Sequence, residues 1–163
     1  MKTAAPRHTR RKDHILDNGH LDPYQLRGKI KGPLRCPKCS AVYRRGNWRW
    51  EVPPVEASEH ECPACRRIRE GYPAGTMQLS GEFFNAHREE ILNLVRNQEK
   101  VRKESHPLQR IMTFIEHADH VELTTTDVHI ARRIGDALLD AFQGDLSVGY
   151  SPGEHFVRVS WKR

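Results

Sequence analysis

The sequence predicts an α+β fold in which a short cysteine-rich module precedes a small sheet of about four strands with helices packed on one face. Three observations support this prediction. Two cysteine pairs lie within the first 65 residues, helical and strand-like apolar periods alternate after residue 70, and residues 146–161 have the pattern of a β-hairpin. A chain of 163 residues is long enough for one such domain beside a smaller module.

Composition divides the chain into three segments. Residues 1–33 mix Arg, His, Asp, Gly and Pro without an apolar period, which predicts a basic and largely disordered N-terminal arm. Residues 34–70 hold every cysteine, and within them the pattern from Val42 to Trp50 predicts two strands joined by a turn at Gly46-Asn47. Residues 71–163 carry the longer apolar periods and are expected to form the α+β domain.

The elements of this domain follow from the apolar periods and from the residues that interrupt them. Pro107 separates two helical patterns, because the residue before a proline avoids the helical conformation. In chain order, we expect a strand at 76–80, a helix at 83–103, a short helix at 108–115, a strand at 120–126, a helix between Asp127 and Gly144, and the final hairpin.

The cysteines occur as Cys36-Pro-Lys-Cys39 and Cys62-Pro-Ala-Cys65, with 22 residues between the pairs. Two residues between paired cysteines allow a tight turn that directs both thiolates to one ion, and two such turns complete the tetrahedral shell of a structural zinc. The intervening length suits a hairpin and a loop. We therefore predict a four-cysteine zinc ribbon whose closed shell supports folding rather than catalysis. The ligands of its single Zn²⁺ ion are Cys36, Cys39, Cys62 and Cys65.

Other uses of four cysteines have less support. A disulfide framework needs an oxidising compartment, and the basic N-terminus has no apolar stretch behind it that would form a secretory signal. An iron–sulfur cluster also uses four thiolates, and spacing alone does not distinguish it from zinc. No apolar run approaches the roughly 20 residues that a membrane span needs, so we expect a soluble, cytoplasmic protein.

Positive charge is concentrated in the first 69 residues, which carry sixteen Lys or Arg and seven Asp or Glu. Such an excess attracts polyanions, usually nucleic acid, although a short basic terminus can also serve solubility alone. Cations and aromatic rings alternate between the cysteine pairs, which suits phosphate contacts and base stacking. We expect one of Trp48 and Trp50 in the ribbon core and the other at the surface. The residues predicted to contact nucleic acid are Arg10, Arg11, Lys12, Lys29, Lys31, Arg44, Arg45, Trp48, Arg49, Arg66 and Arg67.

An enzyme is not expected from this sequence. No Ser or Cys nucleophile lies beside a base in a recognisable arrangement, and no Gly-rich phosphate loop occurs, so we expect no small-molecule substrate. His117, Asp119 and His120 are the candidate group for a second metal or a catalytic role. They fall at a junction between two elements, where polar residues are expected in any case.

Parts of the sequence resemble a known family. They are the junction from Cys62-Pro-Ala-Cys65 to Gly71-Tyr72, the stretch Val121–Arg133 and the closing hairpin that ends in Val157–Lys162. In this order, residues 34–163 are similar to the N-terminal half of the large-ribosomal-subunit export adaptor and to its short archaeal and bacterial relatives. The resemblance implies that the four cysteines bind zinc and that the module docks on ribosomal RNA or the large subunit. We do not expect export itself to carry over, because the further domains and transport signals of the eukaryotic members have no counterpart here.

These features together predict an RNA- or ribosome-binding zinc-ribbon protein that acts in ribosome assembly, quality control or dormancy. The alternative is a protein-interaction or DNA-binding regulatory module with a structural zinc, in which the basic arm binds DNA or an acidic protein partner.

Overall fold

The computed structural model describes residues 22–163, and these form an α+β structure, as the sequence predicts. The N-terminal unit, called the ribbon below, is a four-stranded sheet with one helix. Its elements are β1 (Leu34–Arg35), β2 (Val42–Arg44), β3 (Asn47–Arg49), β4 (Ser58–Glu59) and α1 (Pro63–Glu70). The strand order is β3-β2-β1-β4, and β4 runs parallel to β1 while the other neighbours are antiparallel.

The β2–β3 hairpin turns one residue earlier than the sequence predicts. Arg45 and Gly46 occupy the two central positions of the turn, with φ of 51° and 87°, and Arg44 pairs with Asn47. A two-residue turn with positive φ at both centres matches the twist of the flanking strands. The turn therefore holds Arg45 at the exposed tip of the hairpin.

The second unit is a five-stranded sheet with helices on one face. Its elements are β5 (Gly75–Ser80), α2 (Glu82–Ala86), α3 (Arg88–Ser105), β6 (Ile111–Glu116), β7 (His120–Thr125), α4 (Val128–Phe142), β8 (Asp145–Tyr150) and β9 (Val157–Lys162). The strand order is β6-β7-β5-β9-β8. The β5–β9 pair is parallel, and antiparallel neighbours extend the sheet on both sides of it.

The two predicted helices around Pro107 differ from the structure. Residues 111–116 form β6 rather than a short helix, because their β-branched and aromatic side chains favour strands and β7 offers an antiparallel partner. This strand raises the number in the sheet from the predicted four to five. The long helix begins at Arg88 rather than at residue 83, since His87 has a non-helical φ of −121° and separates it from α2.

The apolar core of the second unit lies between its sheet and the helices. Strands β5, β7 and β9 alternate, so that Met77, Leu123 and Val159 are buried while their chain neighbours are more exposed. Trp161 is fully buried, and its Nε1 donates to the carbonyl oxygen of Gln143 at 2.8 Å. The opposite face of the sheet carries polar side chains and borders a cavity of about 490 Å³.

The described part of the predicted arm packs against the ribbon. Leu26 and Ile30 contact the ribbon core, and Asp22 pairs with Arg67 of α1 at 2.7 Å. Residues 22–33 form no helix or strand and contact the ribbon through these side chains. Residues 1–21 of the arm lie outside the described residues.

Candidate metal centre

Each cysteine of the predicted ligand set lies in a tight turn or at the start of a helix. After β1, the amide of Ser40 donates to the carbonyl of Cys36, and the amide of Cys36 donates to the carbonyl of Ala41. Ser40 has a φ of 66°, which lets the chain reverse immediately after Cys39. Cys62 is the N-cap of α1, so the second pair occupies the cap and first turn of that helix.

The positions of the four sulfur atoms fit one zinc ion. The Sγ atoms all lie within 4.8 Å of one another, and those of Cys39 and Cys62 are 3.7 Å apart. Zn–S bonds of about 2.3 Å in a tetrahedron place neighbouring sulfurs roughly 3.8 Å apart. None of the four forms a disulfide. The cysteines thus form a structural zinc site, as predicted.

Backbone amides stabilise negative charge on the sulfurs. The amide of Cys62 donates to Sγ of Cys36 at 3.3 Å, and the amide of Cys65 donates to Sγ of Cys62 at 3.4 Å. Hydrogen bonds to an ionised acceptor are stronger than those between neutral groups. The turns that position the ligands therefore also stabilise their thiolate form, which is the form that binds metal.

The cation of the site is Arg110, which comes from the second unit. Its Nη2 donates to Sγ of Cys39 at 3.1 Å and its Nη1 to Sγ of Cys65 at 3.4 Å, while its Nε donates to the carbonyl of Pro107 at 2.6 Å. The side chain is buried, with 7% of its surface exposed. A buried guanidinium requires compensating negative charge, and a zinc ion with four thiolates keeps a net negative charge that provides it.

The contact between Cys39 and Cys62 shifts the pKa values of these two thiols in opposite directions. A hydrogen bond with Cys62 lowers the pKa of Cys39 to about 4, and the Arg110 guanidinium contributes in the same direction against the effect of burial. The same contact, together with burial, raises the pKa of Cys62. Cys39 is therefore the thiol of this pair that ionises more readily, and metal binding releases the protons that the cysteines still carry.

The two tryptophans of the ribbon differ in burial. Trp48 is 9% exposed and packs in the ribbon core, with its ring centroid 5.5 Å from that of Tyr43. Trp50 is 39% exposed, and its Nε1 donates to the carbonyl oxygen of Lys103 at 2.6 Å. One core and one surface ring agree with the prediction. The predicted nucleic-acid contact at Trp48 is wrong, however, because its side chain belongs to the core.

Arg67 is also buried, which corrects a second predicted nucleic-acid contact. Only 1% of its surface is exposed, because Nη2 donates to Asp22 at 2.7 Å and Nη1 donates to the carbonyl of Tyr72 at 2.9 Å. The guanidinium also lies 4.2 Å from the ring centroid of Tyr24. Its neighbour Arg66 stays at the surface and pairs with Glu70 at 3.0 Å.

The remaining predicted cations are divided between the surface and the part of the chain that is not described. Arg10, Arg11 and Lys12 lie outside the described residues. The predicted residues that the structure places at the surface of the ribbon and the segment before it are Lys29, Lys31, Arg44, Arg45 and Arg49.

Sequence reasoning missed Arg110, which contacts the cysteine sulfurs, and Asp22, which pairs with the buried Arg67 of α1. Arg110 reaches Cys39 across 71 positions, and Asp22 reaches Arg67 across 45. Neither belongs to a local motif, since a lone arginine and a lone aspartate carry no spacing signal. Their roles depend on how the second unit and the preceding segment pack on the ribbon.

Comparisons with models of protein families, with curated proteins and with solved structures give no match for this chain. Within residues 22–163, no helix combines the length and apolar character required to cross a bilayer. Fold and site therefore define a class: an α+β protein with a four-cysteine structural zinc site in an N-terminal ribbon.

Proposed function

We propose that this protein binds RNA through its zinc ribbon and associates with the ribosome, where it acts in assembly, quality control or dormancy. The partner follows from the resemblance of residues 34–163 to the large-subunit export adaptor. The physical basis is the charge and shape of the ribbon, and the zinc site supplies its rigidity.

The observation that carries the proposal is a set of exposed cations on the β2–β3 hairpin and the segment before β1. We call this set the basic edge, and it consists of Lys29, Lys31, Arg44, Arg45 and Arg49. A cavity of about 300 Å³ opens between the hairpin and that segment. It is lined by Ile30, Gly32, Pro33, Tyr43, Arg44, Arg45 and Gly46. A groove flanked by cations suits a nucleic-acid backbone, because each neutralised phosphate releases counterions.

The charge of the chain is unequal between its two units. Residues 22–70 carry eleven Lys or Arg and six Asp or Glu, whereas residues 71–163 carry eleven and thirteen. On α1, Arg66 and Arg69 pair with the acidic side chains of Glu70 and Glu61. Among the described residues, the basic edge forms one ion pair, between Arg44 and Glu51 at 3.9 Å. Its cations therefore remain available to a polyanion.

The zinc site supports this surface mechanically. Apart from the cysteines, the buried ribbon cluster contains only Leu34, Ala41, Trp48 and Ala64, so the apolar burial that stabilises the hairpin is limited. The metal ties the turn that follows β1 to the start of α1. Both stretches that line the groove are attached to this framework, since β2 pairs with β1 and the preceding segment runs directly into β1.

Fluorescence anisotropy with a single-stranded RNA oligonucleotide at several salt concentrations tests the RNA contact. The variant R44Q/R45Q/R49Q removes three cations from the hairpin, and R96Q/K100Q/R133Q removes three from the helices of the second unit as a matched control. We expect the hairpin variant to bind more weakly and to reduce the slope of log K against log salt by about 2, because each phosphate contact on single strands contributes roughly 0.7. Equal effects of the two variants would contradict an RNA contact at the basic edge.

Sedimentation of cell lysate through a sucrose gradient tests the partner. We expect the protein to migrate with ribosomal particles at low salt, to leave them at high salt, and to leave them at lower salt in the hairpin variant. Migration at the top of the gradient under all conditions would refute ribosome association. If duplex DNA then displaces the RNA oligonucleotide at equal concentration, the DNA-binding regulatory module becomes the better description.

A further inference from the structure

The β6–β7 hairpin of the second unit brings together metal-ligating side chains that are separate from the cysteines. His117 lies in the turn after β6, and His120 and Glu122 are alternate residues of β7, so they share the face of the sheet opposite the helices. A ligand atom of each residue lies within 4.8 Å of those of the other two. We propose that His117, His120 and Glu122 bind a divalent transition-metal ion such as Zn²⁺.

The distances between the ligand atoms suit a common ion. Nε2 of His120 is 3.4 Å from Oε1 of Glu122, and Nε2 of His117 is 3.9 Å from Oε2 of the same carboxylate. Ligand atoms about 2.1 Å from a tetrahedral zinc are roughly 3.4 Å apart. The imidazole rings stack with their centroids 4.2 Å apart, and both side chains are accessible to solvent.

Asp119 positions one of the ligands. Its Oδ1 lies 2.7 Å from Nδ1 of His120. A carboxylate on the far nitrogen of a metal-binding histidine fixes the ring and its tautomer, which leaves Nε2 as the nitrogen that faces the metal. The sequence groups His117, Asp119 and His120, whereas the structure assigns the third ligand to Glu122 and makes Asp119 a positioning residue.

The ligand types define the class of ion. Two imidazoles and one carboxylate suit zinc, cobalt, nickel or copper better than magnesium or calcium, which prefer oxygen ligands. Three protein ligands leave at least one coordination position open on zinc, in contrast to the closed cysteine shell. Glu122 also borders the cavity of about 490 Å³ on the open sheet face. An oxygen-bearing ligand in that cavity therefore has access to the ion.

Calorimetric titration of the full-length protein with Zn²⁺, after its cysteine site has been saturated, tests the proposal. We expect one further equivalent to bind to the parent protein, to be lost in H117Q/H120Q, and to bind at least tenfold more weakly in E122Q. H87Q/E90Q is the matched control, since His87 and Glu90 form another surface histidine–carboxylate pair at 3.4 Å. This control is expected to bind the further equivalent of zinc as the parent does. The histidines of the N-terminal arm are present in every variant, so they do not account for a difference between variants.

Histidine NMR resonances give a second, independent readout. On addition of Zn²⁺ to the saturated protein, we expect the ring signals of His117 and His120 to shift before those of the other eight histidines. Asp119→Asn is expected to weaken this zinc binding about tenfold without changing its stoichiometry. The proposal is overturned if the parent binds no further equivalent, or if H117Q/H120Q folds and binds it as the parent does. Neither result depends on RNA binding.

Discussion

Arg110 is the residue whose replacement most directly tests the description of the metal centre. Arg110→Met keeps most of the side-chain length and apolar stem but removes the guanidinium that contacts the sulfurs. Arg133→Met, at an exposed position on α4, is the matched control. If the cation is part of the zinc site, the two substitutions must differ in their effect on zinc affinity and on stability.

The expected magnitude follows from the contacts of the guanidinium. The two shorter of its three hydrogen bonds to sulfur, at 3.1 and 3.4 Å, join a buried cation to ionised acceptors, and such bonds contribute about 1.5–3 kcal/mol each. Truncating one partner of a buried charge pair costs about 3–5 kcal/mol. We take about 3 kcal/mol as the loss of free energy, which corresponds to roughly a 150-fold weaker affinity for zinc.

Competition with a chromophoric chelator measures the zinc affinity, and urea unfolding at saturating zinc measures the stability. We expect Arg110→Met to lose about two orders of magnitude in affinity and Arg110→Lys to lose less, because an ammonium keeps the charge but not the forked geometry. A zinc affinity within threefold of the parent for Arg110→Met, together with an unchanged urea midpoint, would refute the reasoning. The guanidinium would then be a passive neighbour of the cluster.

Three further predictions concern other parts of the chain. Cys36→Ser is expected to bind less than one equivalent of zinc at the cysteine site and to lose the dispersed NMR amide signals of the ribbon. The NMR signal of the buried Trp161 indole is expected to persist, because the second unit has its own core. Gly135→Ala places a Cβ 2.9 Å from Cδ1 of Leu146 and 3.1 Å from Cγ1 of Val159. Overpacking costs about 1–3 kcal/mol and the better helix propensity of alanine offsets about 1 kcal/mol of it, so urea unfolding is expected to show a net loss of up to about 2 kcal/mol. Gly149→Ala, where nothing lies within 4 Å of the new Cβ, is its control. Hydrogen bonds from Tyr24 and Arg66 lower the pKa of Glu70 below its ordinary value of 4.5. The ionised Glu70 carboxylate therefore stabilises the fold at pH values above 4.5, and this stabilisation is lost as the pH falls through the lowered pKa. Urea midpoints of the parent and Glu70→Gln should therefore differ at neutral pH and converge in acid, and a constant difference would contradict this assignment.

The zinc site is the part of the structure that sequence reasoning predicts best. Its ligands are recognisable by type and spacing, since the CxxC turn is a local constraint that does not depend on the rest of the fold. The second unit is less predictable. Residues 108–115 have helical spacing, yet Ile111–Glu116 pair with β7 as a strand. The interaction that decides the structure of this segment is its pairing with β7, which follows later in the chain. The spacing of apolar residues within the segment contains no information about that partner.

The burial of charged side chains is also difficult to predict from the sequence. Arg66 and Arg67 are adjacent in a basic stretch, and a count of charges treats them alike. In the structure Arg66 stays at the surface, while Arg67 is buried against Asp22 and the ring of Tyr24. Helix geometry places neighbours about 100° apart, so one faces solvent and the other faces the segment that packs on α1. Only the partner, which lies 45 positions earlier, decides which of the two is available to bind a ligand.

The contacts of Arg110 and Trp50 give the zinc site a role beyond the ribbon. Arg110 immediately precedes β6 and binds the sulfurs, and Trp50 of the ribbon lies 5.8 Å from its guanidinium and donates to Lys103 at the end of α3. The metal centre thus lies at one of the contacts between the ribbon and the second unit. Because the same ion holds the turn after β1 and anchors Arg110, removal of zinc must loosen this contact between the two units as well as the ribbon.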